Sequence, residues 1–444
     1  MKKIFIDRDA FLLRTAVYED NILSNIYFEK EDNKPKEGCI YIGEVKNILP
    51  SLKGAFLDIG YEKNVFLYLD KNIKIKKGDR LAVQIIKEEE GEKSAKSSLN
   101  LLLPGRYIML QTLKEEMEFS GKLTEDFKES IRHEIELYNN TGVIIRSNSI
   151  ETSIDEIKNE YDYLYQIYSQ IRRKEDYSSS LGLIYDFNGI LGKLLRDISG
   201  SIESIIVSDI KDRCFIEEYI KGKINTIVKL EENVFLSYGI EEDIKDLLKR
   251  RVILPSKGNI IIDKTEAMYV IDVNSSKNTS ESSMDKTAFK TNIEAAAEIP
   301  RQIKLRGLSG IIIIDFIDLK DRNKKKELLD MLQLGFKEDR LKPSVYPFTE
   351  LNLVQITRKK VTPISYYLEE NYGICQDGKR LSSLYISILI KEKVHMEKIE
   401  DPVIEVNNIY KKQENSFLFY LTELIGENFK LLFKEQAEDF LIKH

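Results

Sequence analysis

The chain has 444 residues, too long for one ordinary core at ~100–200 residues per domain, so several domains are expected. With 42% hydrophobic and 32% charged residues it reads as a folded soluble protein, and no window supplies the ~18 consecutive apolar residues of a membrane-spanning helix. The net charge of −6 leaves nucleic acid open, because binding needs a local basic surface rather than a basic total; three scattered cysteines and three isolated histidines argue against a disulfide framework and against His-based chemistry.

The opening "MKKIFIDRDAFLLRTAVYED" meets acids before any signal-peptide core develops, so it reads as a strand at the start of a cytoplasmic protein. A polar linker, "EKEDNKPKEG", comes next. From Cys39 short apolar runs alternate with turn signals, as in "CIYIGEVKNILPSLKGAFLDIGYEKNVFLYLDK", and predict about five strands of a small barrel such as the OB-fold. Residues 113–137 read as a helix and "TGVIIRSNS" as a strand. Over 154–173, Ile157, Tyr161, Leu164, Tyr165, Tyr168 and Ile171 recur at helical spacing, which predicts a core-facing stripe rather than a base-stacking platform.

From residue 202 strands and helices alternate: "SIIVSD", a helix over 213–221, and "EEDIKDLLKR". "NIIIDKTEAMYVIDVN" predicts a hairpin turning at "DKTE". A long helix over 286–306 contains Pro300, which should kink or unwind it. "GIIIIDFIDLKD" reads as a strand buried on both faces that ends in acids. A charged helix and the strand "ELNLVQITRKK" complete an α/β catalytic core, and the segment from 381 onward is mixed, without a chemical motif.

Chemistry concentrates at two strand ends. In "YVIDVNSSK" Asp272 and Asn274, two apart, project from one face, and in "IIIIDFID" Asp315 shares a face with Ile313 while Asp318 lies on the other with Phe316. If the strands are neighbours, Asp272 and Asp315 converge. Two carboxylates and an amide without histidine suit a hard, largely hydrated cation such as Mg²⁺, which can activate water and clamp a phosphate oxygen. The competing reading makes Asp272 and Asn274 a turn cap and Asp315 a helix cap. Asp318, just before "LKDRNKKKELLDML", reads as a helix N-cap or a supporting group.

The stretches "TEAMYVIDVNSS", "TAFKTNIEAAAEIPRQIKLRGLSGIIIIDFIDL" and "LNLVQITRKK" resemble the catalytic domain of the ribonuclease E/G family. "YIGEVKNILPSLKGAFLDIGYEKNVFLYL" resembles that family's OB-fold RNA-binding module, and "TGVIIRSNS" its 5′-end sensor. The resemblance covers roughly the first four-fifths of the chain in the family's order.

It implies a multidomain α/β protein: a ribonuclease H-like and DNase I-like catalytic region with an inserted OB-fold β-barrel and a 5′-end sensor domain, plus a small C-terminal α/β domain. The segments expected are 1–36 and 201–250 for the ribonuclease H-like parts, 37–110 for the OB-fold and 111–200 for the sensor region. Residues 251–366 fall to the DNase I-like catalytic domain, 367–380 to a degenerate zinc-link segment and 381–444 to the C-terminal domain. The implied activity is Mg²⁺-dependent endonucleolytic cleavage of single-stranded, AU-rich RNA to 3′-hydroxyl and 5′-phosphate ends, in RNA processing and mRNA decay.

By the same resemblance Asp272 and Asp315 match the metal-binding aspartates, and Asn274 the asparagine that supports them and the scissile phosphate. Phe56 and Phe66 match the aromatics over which RNA passes, with Lys96 as the basic residue nearby; Arg146 and Ser147 match the Arg–Thr pair that grips a 5′-monophosphate. Arg358, Lys359 and Lys360 match a basic stretch suited to phosphate-backbone contact.

One departure concerns zinc: in "YGICQDGKR" Tyr372 stands where the family's first cysteine would be, so only Cys375 remains and a shared zinc link is not expected. A homodimer is left open, and the end at His444 places the chain nearer the short ribonuclease G type. The competing function is a non-catalytic RNA-binding or ribosome-assembly factor that keeps the fold, against which the paired carboxylates speak.

Overall fold

The computed structural model describes residues 1–32, 34–69, 74–89, 92–187, 189–197, 201–221, 224–275, 284–337, 339–371, 379–436 and 438–443. The chain divides into two compact units, Met1–Glu31 with Ser201–His444 and, inserted between those halves, Asp32–Gly200.

In the inserted unit the strands Ile40–Leu49, Gly54–Asp58, Val65–Tyr68, Lys96–Ser98 and Arg80–Lys87 pair in that order, and the last returns to the first, closing a five-stranded barrel. Period-two alternation puts Ala55, Leu57, Val65 and Leu67 inside and leaves Phe56 and Phe66 on the outer face. A second sheet, in the order Met117–Phe119, Thr141–Ile145, Ile108–Thr112 and Leu102–Pro104, packs on the helix Ile154–Tyr177. That helix buries Ile157, Tyr161, Leu164, Ile167 and Ile171, and Tyr161 spends its hydroxyl on Thr141 Oγ1 at 2.8 Å and the Tyr138 amide at 3.0 Å. The expected helix over 113–137 is instead a strand, Met117–Phe119, and a shorter helix, Glu125–Glu134. Leu113 sits at φ +62, which ends any helical path there, and the edge strand gains parallel pairing with Thr141–Ile145.

In the other unit the strands Lys2–Arg8, Leu12–Glu19 and Ile22–Lys30 form a meander, to which Ile202–Val207 and then Ile227–Leu230 add in parallel. The single opening strand expected from sequence is therefore three, because Asp20 and Asn21 at φ +49 and +64 make a tight hairpin turn. A buried charge cluster lies beneath this sheet: the Arg14 guanidinium bonds the carboxylates of Asp7, Glu241 and Glu392, and Tyr385 donates to Glu241.

A six-stranded sheet comes next, in the order Arg251–Ile253, Asn259–Lys264, Met268–Asn274, Gly310–Asp315, Leu353–Arg358 and Ser344–Val345. The helices Met284–Arg306 and Arg322–Gly335 cover one face through Ala295, Ala296, Ile299, Ile303, Leu328 and Leu332. The isoleucine strand is buried on that face only: Ile312 and Ile314 are inaccessible, whereas Ile311 is 46% exposed and Ile313 half-buried. The helix runs without interruption through Pro300, whose ring rests over Gly335 of the next helix; a Cβ there would meet Pro300 Cγ at 2.6 Å. At the C-terminus a three-stranded sheet, Lys430–Lys434, Val403–Asn407 and Phe440–Lys443, packs with the helices Ser383–Glu397 and Glu414–Ile425.

Candidate active site

Met268–Asn274 and Gly310–Asp315 are neighbouring parallel strands whose register pairs Met268 with Ile311 and, at the far end, Asp272 with Asp315. The two carboxylates therefore stand at one level of the sheet, near the ends of their strands. Ile271, Val273, Ile312 and Ile314 point into the helical core, which leaves Asp272 and Asp315 on the uncovered face. Asn274 lies on that face too and donates Nδ2 to Asp272 Oδ2 at 2.6 Å. The three residues singled out by spacing are thus brought together, and among the described residues none of them caps a helix.

Asp315 is under electrostatic stress. Partial burial first, then the charges of Asp272 and Asp318, push its carboxyl above the usual range. A cation between the strand ends would relieve both repulsions, and an all-carboxylate donor set fits a hard ion that keeps much of its water. Among the described residues no group of three or more His, Cys, Asp and Glu could hold a metal by itself, so such an ion would rest on two protein carboxylates and take oxygens of water or substrate for the rest.

Of the two roles expected of Asp318, helix cap or supporting group, it does not take the cap. The strand ends at Asp315, so alternation no longer orients the residues beyond it, and the helix Arg322–Gly335 is capped by Asp321, which accepts from the Asn323 amide at 2.8 Å. Asp318 instead accepts from Asn352 Nδ2 at 2.8 Å, and Lys325 Nζ donates to Asn352 Oδ1, a chain that ties an ammonium to the acid beside Asp315. Asn292, fully buried, donates Nδ2 to the Ile317 carbonyl at 2.7 Å and accepts from the Ile317 amide at 3.1 Å, fixing the backbone between Asp315 and Asp318. Asn292, Asn352 and Lys325 escaped sequence reasoning. The one signal was a polar Asn292 in line with Ala295, Ala296 and Ile299 on the apolar helix face.

On the barrel Phe56 and Phe66 are cross-strand partners with ring centroids 5.4 Å apart, and Lys96 pairs with Phe66 from the other side. Tyr68, two residues past Phe66, belongs to the same face and was not singled out from sequence. Arg146 comes directly after the strand Thr141–Ile145; its Nη1 donates to the Gly105 carbonyl at 2.8 Å and its Nη2 to Asp197, while Ser147 beside it is exposed.

Arg358 is not available to RNA. It is 7% exposed, its Nε donates to Asp339 Oδ2 at 2.8 Å and its Nη1 to the Leu308 carbonyl at 2.9 Å, because its position in the strand alternation points it inward. Lys359 and Lys360, beyond the strand end, are exposed. Cys375 lies outside the described residues. Among those described, no helix is long and apolar enough to cross a membrane.

A family model described as "Ribonuclease E/G family" matches residues 102–361. The chain is 28% identical to Ribonuclease G of Haemophilus influenzae over 93% of its length and 89% of that protein. It is likewise 28% identical to Ribonuclease G of Escherichia coli strain K12, over 94% of the chain and 90% of that protein. Ribonuclease E of Buchnera aphidicola subsp. Schizaphis graminum is 29% identical over 89% of this chain and 44% of that protein.

Proposed function

The chain belongs to the ribonuclease E/G family, and on that footing we propose that it is an endoribonuclease that hydrolyses single-stranded RNA with Mg²⁺ at Asp272 and Asp315. The observation that carries the proposal is the in-register pairing of those two acids, with Asn274 bonded to the first. A bound Mg²⁺ would supply a Lewis acid for a phosphate oxygen and a more acidic water. The residues of the chain do the rest. Asp272 and Asp315 would hold the ion, and Asn274, whose amide fixes Asp272, is exposed on the same face, where a phosphate oxygen would lie. The Asp318–Asn352–Lys325 chain brings one positive charge to a site otherwise made of acids.

Phe56 and Phe66 offer faces on which any base can stack, with Lys96 beside them for the backbone, which suits a single strand without a strict sequence demand. Lys359, exposed at the end of a site-sheet strand, is a backbone contact. Arg146 and Ser147 form the 5′-monophosphate grip: Arg146 is held by the Gly105 carbonyl and Asp197, and its remaining N–H groups, which have no hydrogen-bond partner among the described residues, would fork onto phosphate. AU-rich preference, products with 3′-hydroxyl and 5′-phosphate ends, and a cytoplasmic role in RNA processing and decay complete the proposal.

The finer fold reading is supported by the strand order. An antiparallel meander extended by two parallel strands beyond its first member is the ribonuclease H-like arrangement, and the six-stranded sheet with helices on one face is assigned to the DNase I-like domain. The test is cleavage of a 5′-monophosphorylated AU-rich oligonucleotide with Mg²⁺ and with EDTA. Loss of cutting in EDTA and in Asp272→Asn and Asp315→Asn is expected; undiminished cutting by either variant would overturn the mechanism.

A further inference from the structure

Tyr68 is 46% exposed on a barrel strand whose residues Val65 and Leu67 are buried, so by alternation it continues the outer face that carries Phe66. Its ring stands 5.1 Å from that of Phe66 at 85°, and Phe66 in turn meets Phe56 at 72°. The three aromatics thus form one row across two strands, with Phe66 in the middle and turned nearly at right angles to both flanking rings.

The row is built around a glycine. Gly54 is the register partner of Tyr68, and a Cβ placed on it would lie 2.2 Å from Phe66 Cζ and 2.7 Å from the Leu67 carbonyl. The Phe66 ring can lie across the backbone at that point only because no side chain is there. Packing of that kind fixes the ring's tilt, and with it the spacing of the row.

Lys96 adds the charge. Its backbone pairs with Phe66, and its ammonium sits 5.2 Å from the centre of the Tyr68 ring, with no carboxylate partner among the described residues. A cation over an exposed ring gains little, of the order of 0.5–1 kcal/mol, so an incoming phosphate can draw it away. A base on the Tyr68 face would displace Lys96 from the ring and leave its ammonium beside the phosphate of that nucleotide.

We propose that Tyr68 is a third base-stacking position on the barrel face, coupled to Lys96 as the phosphate contact of the same nucleotide, and that the occupant is single-stranded RNA. This rests on the RNA-cleaving function proposed above. It extends the row beyond the Phe56 and Phe66 pair by one nucleotide and makes Tyr68 a determinant of how long a single strand the barrel engages.

The chain contains no tryptophan, so Tyr68→Trp and Phe66→Trp each install a single reporter. Each full-length variant is titrated with a short oligo(A) in EDTA, which withholds the divalent cation. Quenching of Trp emission in both variants is expected. In direct binding Tyr68→Ala is expected to weaken affinity roughly ten-fold, the scale of one stacked base, while Tyr68→Phe restores it. Lys96→Ala is expected to lower the slope of log Kd against log salt by about 0.7.

Quenching at Phe66→Trp with none at Tyr68→Trp, together with normal binding by Tyr68→Ala, would overturn the third position while leaving the RNA surface standing. Failure of the unsubstituted chain to bind the oligonucleotide would remove the RNA reading and this inference with it. Tyr68 is an exposed side chain, so its replacement removes no core packing; circular dichroism of the variants verifies that they fold.

Discussion

Asn292 holds the backbone of Ile317 by both its groups, the carbonyl receiving Nδ2–H at 2.7 Å and the amide donating to Oδ1 at 3.1 Å. The helix Met284–Arg306 thereby grips the segment that separates Asp315 from Asp318. Asn292→Ala leaves a backbone donor and acceptor without partners, which costs about 1–3 kcal/mol. Because the grip also sets where Asp315 points, turnover should fall by more than the stability loss explains. The expected outcome is a lower urea midpoint and a kcat reduced at least ten-fold, with KM for RNA little changed. A stability loss with unchanged kcat in the remaining folded enzyme would confine Asn292 to packing.

Arg358 and Lys359 are adjacent in sequence and opposite in role. Removing Arg358 leaves Asp339, 7% exposed, without its counter-charge, and the Leu308 carbonyl without its donor. Breaking a buried pair this way costs about 3–5 kcal/mol. Arg358→Ala is therefore expected to lower the melting temperature sharply without altering the salt dependence of RNA binding. Lys359→Ala should do the reverse, leaving the melting temperature unchanged and reducing the salt slope by about 0.7 for a lost phosphate contact. Equal salt slopes for the unsubstituted chain and Lys359→Ala would remove Lys359 from the RNA surface.

The contrast between those two residues shows what the sequence could carry. Period-two alternation correctly put Asp272 with Asn274, and parallel pairing of the two strands then put Asp272 opposite Asp315, since both steps depend only on local geometry. The same rule, applied to "LVQITRKK", would have turned Arg358 inward with Val354 and Ile356; the family resemblance drew attention to its charge instead. Asp318 reads from sequence as either cap or supporting group, because a strand's period says nothing past the strand's end at Asp315. The two-faced burial expected of "GIIIIDFID" failed because four isoleucines say nothing about which face has a helix to cover it. The supporting groups Asn292, Asn352 and Lys325 depend on contacts between distant segments, which no local pattern reports.

Gly54 makes a sharp test of the barrel face. Its φ is not left-handed, so alanine is acceptable to the backbone there, and the only objection is the Phe66 ring 2.2 Å from the new Cβ and the Leu67 carbonyl 2.7 Å from it. Gly54→Ala should therefore move Phe66 and loosen its strand rather than unfold the barrel, with a destabilisation of about 1–3 kcal/mol typical of overpacking. RNA affinity is expected to fall at least as far as in Phe66→Ala, and the double variant should be no worse than Gly54→Ala alone. Additive losses in the double variant would mean that Gly54 acts through the backbone and not through the ring.

The buried cluster around Arg14 should govern the alkaline limit of stability. Three carboxylates, Asp7, Glu241 and Glu392, share one guanidinium, and Glu392 Oε2 has no hydrogen-bond partner among the described residues. Burial first, then the nearby charges of Glu241 and Asp7, overcome the attraction of Arg14 and push Glu392 up to about 8. The folded pKa thus exceeds that of the unfolded chain, so between the ordinary glutamate range and about pH 8 the folded protein holds a proton that the unfolded chain has released. Stability falls as pH rises through that window, at up to about 1.4 kcal/mol per pH unit, and the penalty is complete once Glu392 ionises. Glu392→Gln keeps the shape of the neutral acid and cannot ionise. Its melting temperature should match that of the unsubstituted protein near pH 5 and exceed it by a growing margin up to pH 8.5. Measurement above pH 7 separates this from His395, whose titration burial moves further to the acid side. Parallel melting curves for the two proteins across pH 5 to 8.5 would show that Glu392 is ionised throughout and that the cluster carries its three negative charges without a proton.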